Sequence, residues 1–124
     1  MRIGELADRA GTSARMVRYY ESQGLLSAHR SPNGYRDYDD ADLRVVREIR
    51  SLQEIGFALD ETRPFVDCLR AGNDSAMVCP ASMDAYRRKL EDLDGCIDRL
   101  VALRSRLRDE LTMVAQAGLT QRED

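Results

Sequence analysis

The first apolar positions of the chain recur with the spacing of an amphipathic helix. They are Ile3, Leu6, Ala7 and Ala10. This spacing predicts a helix over about residues 3–10, which Gly11 would end. Thr12 or Ser13 is positioned to cap a second helix that runs to about Gln23. Two short helices joined by a tight turn, here over residues 3–23, are typical of a helix-turn-helix.

A β-hairpin is predicted directly after the second helix. Asn33-Gly34 is a strong hairpin signal, because both positions of a two-residue turn must tolerate positive φ. The flanks, about 27–30 and 35–38, then form the strands of a wing over residues 27–38. A helix-turn-helix followed by a wing is a shape that lies on DNA.

Two more helices complete a predicted DNA-binding domain over residues 1–71. Asp39 and Asp40 place negative charge at the start of a third helix, where the helix dipole favours it. Asp60 is expected to cap a fourth helix over about 61–71, so that the two helices occupy residues 40–71. The composition of residues 72–81 is typical of a linker.

The last third of the chain has a heptad pattern, in which apolar residues alternate between spacings of three and four. We call these residues the seam: Met83, Tyr86, Leu90, Leu93, Ile97, Leu100, Leu107, Leu111 and Val114. With one break at Arg104, the seam predicts a long helix over 82–117. We expect a second copy of the chain to bury the seam in an antiparallel coiled coil. The alternative is that the helix folds back on its own domain. Residues 118–124 are predicted to form a frayed tail.

The predicted fold class is therefore all-α with a small β-hairpin wing, a winged helix-turn-helix with a long dimerisation helix. A formal net charge of −3 argues against nucleic acid when taken alone. Residues 1–38, however, carry six arginines against four acidic residues and are the only net-basic third. No apolar run approaches the roughly 20 residues that span a membrane. We expect a cytoplasmic protein without a membrane partner.

The second helix is the predicted recognition helix. Ser13 and Arg15 lie near its N-terminal end, where side chains face base edges in the major groove. Arg18, Tyr19 and Tyr20 are better placed to hold phosphates. The alternative is that the two tyrosines belong to the core and the arginines to a solvated face.

The wing adds further candidates for DNA contact. Arg36 is the main one, with Tyr35 and Tyr38 as stem or backbone contacts and Arg30 as a weaker candidate. Arginine suits this task because its planar fork matches phosphate oxygens.

Three segments together carry a more specific signal: IGELADRAGTSARMVRYYESQGLL, NGYRDY and LRVVREIRSLQEIGFALDE. With the long C-terminal helix, they resemble the MerR family of bacterial transcription regulators. The resemblance implies a homodimer that binds double-stranded promoter DNA. In such a promoter, the spacer between the two promoter elements is too long for RNA polymerase to read both. Such a dimer bends and untwists that DNA so that RNA polymerase holoenzyme reads both promoter elements. It also implies that Arg50, ahead of the IGF motif, touches phosphate, and it supports the roles given above to the second helix and to Arg36.

The three cysteines, Cys68, Cys79 and Cys96, form no CxxC motif and are predicted to be free thiols. By the resemblance, Cys79 matches the cysteine that metal sensors of the family place before the dimerisation helix. Their second cysteine-bearing segment is missing here, and the only histidine is His29. One thiolate does not complete a four-ligand zinc site, and the four cysteines of an iron–sulfur cluster are absent, so we expect no metal and no cofactor.

Three possibilities remain for an effector. Cys79 lies just before Pro80 and a helix start, where a thiolate is favoured, which suggests redox or electrophile sensing. A metal held by Cys79 with Cys68 or Cys96 is the second possibility. The third is that Cys68 and Cys96 are small apolar packing residues and that the cysteines do not identify the effector.

Two other classes of protein compete with a regulator. An architectural or accessory DNA-binding protein would share the helix-turn-helix, but the seam argues against it. An enzyme is not expected, because the sequence offers no nucleophile–base pair, no phosphate-binding loop and no paired acids with a pocket to hold them.

Overall fold

The computed structural model describes residues 1–27 and 29–123, with side chains through residue 118. In this part of the chain there are five α-helices and one two-stranded sheet. Their bounds are α1 Ile3–Ala10, α2 Ala14–Ser22, β1 His29–Arg30, β2 Arg36–Asp37, α3 Asp40–Glu54, α4 Arg63–Arg70 and α5 Pro80–Glu123. The predicted fold class, all-α with a β-hairpin and a long C-terminal helix, is confirmed.

The turn between α1 and α2 is built by two residues. Gly11 ends α1 with φ of 70°, a left-handed conformation that favours glycine. Ser13, and not Thr12, caps α2: its Oγ accepts a hydrogen bond of 3.2 Å from the backbone N–H of Met16.

The wing differs from the predicted two-residue turn. β1 and β2 are antiparallel with Arg30 opposite Arg36, so the loop between them comprises residues 31–35. The backbone N–H of Ser31 donates to the carbonyl of Tyr35, and within this loop only Gly34 has positive φ, 81°. Ala28, within the predicted wing, lies outside the described residues.

The start of α3 is a reciprocal helix cap. The backbone N–H of Asp42 donates to Asp39, and that of Asp39 donates to Asp42, both at 2.9 Å. The hydrogen bond from the Asp42 backbone lowers the pKa of Asp39, whereas burial raises the pKa of Asp42.

The fourth helix begins later than predicted. Asp60 does not cap it; residues Asp60–Thr62 form a 3-10 turn, and α4 follows from Arg63. The Thr62 hydroxyl donates to the carbonyl of Leu59 at 2.6 Å, which satisfies this buried side chain within the turn. Pro64 is accepted because it lies in the first turn of α4.

Two hydrophobic clusters hold these elements together. The first joins α1, α2 and α3 through buried residues that include Leu6, Val17, Tyr20 and Ile49. The second is aromatic: the ring centroids of Phe57, Phe65 and Tyr86 lie 5.3 to 5.5 Å apart. Tyr86 is in the second turn of α5, so the start of that helix packs on α3 and α4.

Residues 72–81, predicted as a linker, are tied to the domain that precedes them. Cys68 and Cys79 form a disulfide with their Cα atoms 5.9 Å apart, and Ala76 is buried. The expectation of three free thiols is therefore corrected, and only Cys96 is free. The spacing of two cysteines does not reveal whether the fold brings them together.

The chain divides into two units, a head, Met1–Tyr86, and a C-terminal unit, Arg87–Asp124. The helix runs to Glu123 through residues predicted to form a tail, and Asp124 lies outside the described residues. Gly118 does not end it, because one glycine costs a helix only about 1 kcal/mol. The seam residues of the C-terminal unit are exposed, for example Leu100 at 65%. None of the described helices is long and apolar enough to cross a membrane.

Candidate DNA-binding surface

The helix α2 has one buried and one exposed face. Val17 and Tyr20 point into the core, while Ser13, Arg15 and Arg18 are exposed together with Tyr19. We call these four exposed residues the recognition face. Within the described residues, Arg15 and Arg18 form no ion pair and no side-chain hydrogen bond, so their guanidinium groups are available to a ligand.

Tyr20 occupies the core and not the surface. Its side chain is 1% exposed, and its hydroxyl donates to Oε1 of Gln53 in α3 at 3.3 Å. Burial raises the pKa of Tyr20. This placement matches the core alternative, and the phosphate contact predicted for Tyr20 stays a prediction.

The wing presents Tyr35 and Arg36 to solvent. The guanidinium carbon of Arg2 lies over the Tyr35 ring, 3.9 Å from the ring centroid, in a cation–π contact that joins the loop to the start of the chain. Tyr38, at the foot of the wing, is 2% exposed and therefore belongs to the core. Its ring is a stem residue and is not available as a surface contact.

Glu21 connects the recognition helix to the wing. Its Oε2 lies 3.2 Å from Nη1 of Arg36, and its Oε1 accepts a hydrogen bond from the Tyr38 hydroxyl. Burial, followed by the hydrogen bond to Glu21, raises the pKa of Tyr38 to about 12. Nothing in the spacing of the sequence marks Glu21, because its partners belong to another element.

Arg50 braces the turn of the helix-turn-helix from α3. It is half-buried, and its Nη1 donates to the carbonyl of Ala10 at 3.3 Å. Arg47, one turn earlier, donates in the same way to the carbonyl of Arg9 at 3.2 Å. Cations at these carbonyls neutralise the negative end of the α1 dipole.

Among the described residues, one group brings three potential metal ligands within 4.8 Å, namely His29, Asp39 and Asp42. Both carboxylates already cap α3, so this group does not offer a metal a free set of donors. Cys79, the candidate residue for redox or electrophile sensing, is joined to Cys68. The recognition face, the wing and their supporting residues together define a winged helix-turn-helix DNA-binding protein.

Comparison with known families also identifies a helix-turn-helix DNA-binding protein and assigns it to one family. The family model described as MerR HTH family regulatory protein matches residues 1–67, and the model described as MerR, DNA binding matches residues 43–109. The chain belongs to the MerR family of helix-turn-helix regulatory proteins. Its head is the DNA-binding domain of a transcription regulator, as the sequence motifs indicated.

Individual relatives agree. The HTH-type transcriptional regulator PA4778 of Pseudomonas aeruginosa is 38% identical, over 81% of this chain and 80% of its own length. The nodulation protein NolA of Bradyrhizobium elkanii is also 38% identical, over 90% of this chain, which spans about half of that protein, 47%. The crystal structure of the regulator PbrR691 from Ralstonia metallidurans CH34 in complex with lead(II) is 30% identical, with a TM-score of 0.73 over 88% of this chain and 83% of its own.

Proposed function

We propose that the protein is a homodimeric regulator that binds promoter DNA through two heads and controls transcription by bending and untwisting that DNA. One observation carries the proposal: a DNA-binding head is followed by a helix whose apolar seam is exposed. Leu93, Leu100 and Leu107 are 45 to 67% exposed in the chain by itself. Exposed apolar stripes of this length favour association with another copy.

The recognition face supplies the direct contacts in this proposal. Arg15, with Ser13, reads base edges near the start of α2, since paired donors of arginine match guanine. Arg18 and Tyr19, further along the helix, hold phosphates, and Arg36 with Tyr35 does so from the wing.

Three predicted contact residues are assigned an indirect role. Tyr20 and Tyr38 are buried, and Arg50 is engaged with the carbonyl of Ala10. We assign to them the positioning of α2 and the wing against each other. Their loss would lower DNA affinity through the geometry of the head.

The dimer forms through the seam in an antiparallel coiled coil, over the segment 82–117. Two heads joined in this way engage both halves of one site, and a site whose halves are poorly aligned must deform to be bound. RNA polymerase holoenzyme at the deformed promoter is then the indirect partner. Such a regulator acts in the cytoplasm, where bacterial DNA lies.

A metal-responsive regulator is the second candidate. It is favoured by the similarity to PbrR691, whose structure contains lead(II). In this chain Cys79 is joined to Cys68, so metal binding would first require reduction of that bond.

The test combines mass and binding measurements on the full chain. Light scattering at micromolar concentration should give a dimer, and the dimer should shift DNA taken from upstream of its own gene. Fragments of equal length that carry the binding site at different positions should give complexes of different gel mobility, which shows that the bound DNA is bent. A monomer, or binding without any preference for that DNA, would contradict the proposal.

Adding lead(II) or zinc to reduced protein in a transcription assay tests the metal-responsive candidate, and an unchanged output excludes those metals as effectors.

A further inference from the structure

The bond between Cys68 and Cys79 closes a short segment at the junction of α4 and α5. Cys68 lies in the last turns of α4, and Cys79 immediately precedes α5, 11 residues later. The bond therefore fixes the backbone at the point where the long helix leaves the rest of the head.

The two sulfur atoms have unequal surroundings. Cys68 is 1% exposed, whereas Cys79 is partly exposed and follows two exposed apolar residues, Met77 and Val78. An external thiolate therefore reaches the sulfur of Cys79 first. The side-chain amide of Asn73 lies 3.6 Å from the Cys68 sulfur and 3.4 Å from the Cys79 sulfur, and it also donates to the Cys68 carbonyl at 2.9 Å.

These surroundings suit thiol–disulfide exchange. A thiolate of a dithiol reductant attacks the Cys79 sulfur, the sulfur–sulfur bond breaks, and Cys68 leaves as a thiolate that the Asn73 N–H stabilises. The second thiol of the reductant then attacks the mixed disulfide, releases Cys79 and closes the disulfide of the reductant. Two electrons and two protons pass to the protein, which ends with two thiols.

The segment held by the bond is also in contact with α3. Arg44 donates to the carbonyl of Asp74 at 2.8 Å. Residues 74–77 form one wall of a cavity of about 340 Å³ that is otherwise lined by α3 and by Leu69 of α4. Arg47 of α3 lines the same cavity and contacts the end of α1. The segment is therefore joined through a single helix to the turn of the helix-turn-helix.

Contacts other than the bond also hold the start of α5 on the head. Tyr86 packs on Phe57 and Phe65, and the Ser82 hydroxyl donates to the carbonyl of Pro64 at 3.5 Å. Disulfides in reducing compartments are commonly transient and redox-sensing. We infer that Cys68 and Cys79 form a thiol–disulfide exchange site through which the redox state of the cell changes the output of this regulator.

The inference rests on the proposed function, and its test separates the two. Full-length protein is oxidised with diamide or reduced with dithiothreitol and then alkylated. Its mass is measured by mass spectrometry, which counts the alkylated thiols. One adduct, on Cys96, is expected in the oxidised chain and three in the reduced chain, with no cross-linked dimer on a non-reducing gel. Transcription from the upstream promoter should then differ at least about threefold between the two states, which corresponds to about 0.65 kcal/mol.

Variants assign the effect to the pair. Cys79→Ser and Cys68→Ala should remove the difference while both still shift the promoter DNA, and Cys96→Ser should retain it. Circular dichroism checks that each variant is folded, and Cys79→Ser carries the test alone if the buried substitution does not fold. Three adducts in the oxidised chain, or equal transcription in both states, would overturn the inference. If no form of the protein binds the promoter, it is the proposed function that fails.

Discussion

Glu21 of α2 and Arg36 of the wing form an ion pair of 3.2 Å that sets the position of a proposed phosphate contact. The Glu21 side chain is 10% exposed and that of Arg36 is 43% exposed. The carboxylate is thus held inside the head, while the guanidinium keeps one side toward solvent. Because the same carboxylate accepts a hydrogen bond from the Tyr38 hydroxyl, one residue of α2 orients both Arg36 in β2 and Tyr38 at the foot of the wing.

Glu21→Ala should lower the free energy of unfolding by about 1.5–3 kcal/mol, because the buried Tyr38 hydroxyl loses a charged acceptor. Urea unfolding monitored by circular dichroism measures this. Glu5→Ala is the matched control, since Glu5 forms an exposed pair with Arg9 at 2.9 Å. That change should cost about 1 kcal/mol or less. Equal losses in the two variants would show that Glu21 has no special role.

Tyr38 should make the stability of the head depend on alkaline pH. Its folded pKa of about 12 lies above the ordinary tyrosine value of about 10, so the fold favours the neutral phenol. The stabilisation is complete below pH 10 and disappears as the pH rises toward 12, and two units of pKa correspond to about 2.7 kcal/mol at most.

The measurement is the free energy of unfolding between pH 9 and about 11.5. In Tyr38→Phe, the free energy of unfolding should decrease less steeply with pH than in the wild type. Tyr35→Phe, at an exposed position, should leave the wild-type dependence on pH. Tyr20 is also buried with a raised pKa, so part of the slope remains in Tyr38→Phe. An unchanged slope in Tyr38→Phe would contradict the assignment.

The sequence predicted those features that depend on local chemistry. Helical spacing located α1, a capping side chain located the start of α2 at Ser13, and acidic charge located the start of α3 at Asp39. Contacts between distant residues were not accessible in this way. Glu21 with Arg36 and Cys68 with Cys79 depend on tertiary packing, which no periodicity encodes. For the same reason, the sequence left open whether Tyr20 belongs to the core or contacts phosphate, and it did not reveal the burial of Tyr38.

Arg18→Ala and Arg15→Ala should differ in kind. Loss of a phosphate contact weakens binding to every sequence, and in a dimer with two such contacts the slope of log affinity against log salt should fall by about 2. Loss of a base contact relaxes the preference for one base pair by about 1–3 kcal/mol. Shift assays in a salt series, on the promoter and on single-base variants, distinguish these outcomes.

Arg88→Ala is the control for general loss of positive charge, because Arg88 is exposed and lies on α5, outside the recognition face. It should leave the salt slope and the base preference as in the wild type. Identical profiles for Arg15→Ala and Arg18→Ala would refute the separate roles assigned to the two residues.

Leu100→Asp should separate the dimer. A leucine buried in the coiled coil contributes about 1.5–3 kcal/mol, and the dimer loses two of them, so its dissociation constant should rise at least about a hundredfold. Ser105→Asp adds the same charge on the same helix but outside the seam, and its effect should stay within about threefold. Sedimentation equilibrium measures both variants, and promoter affinity should fall only where dimerisation falls. A Leu100→Asp protein that stays dimeric at micromolar concentration would place the contact between copies somewhere other than the seam.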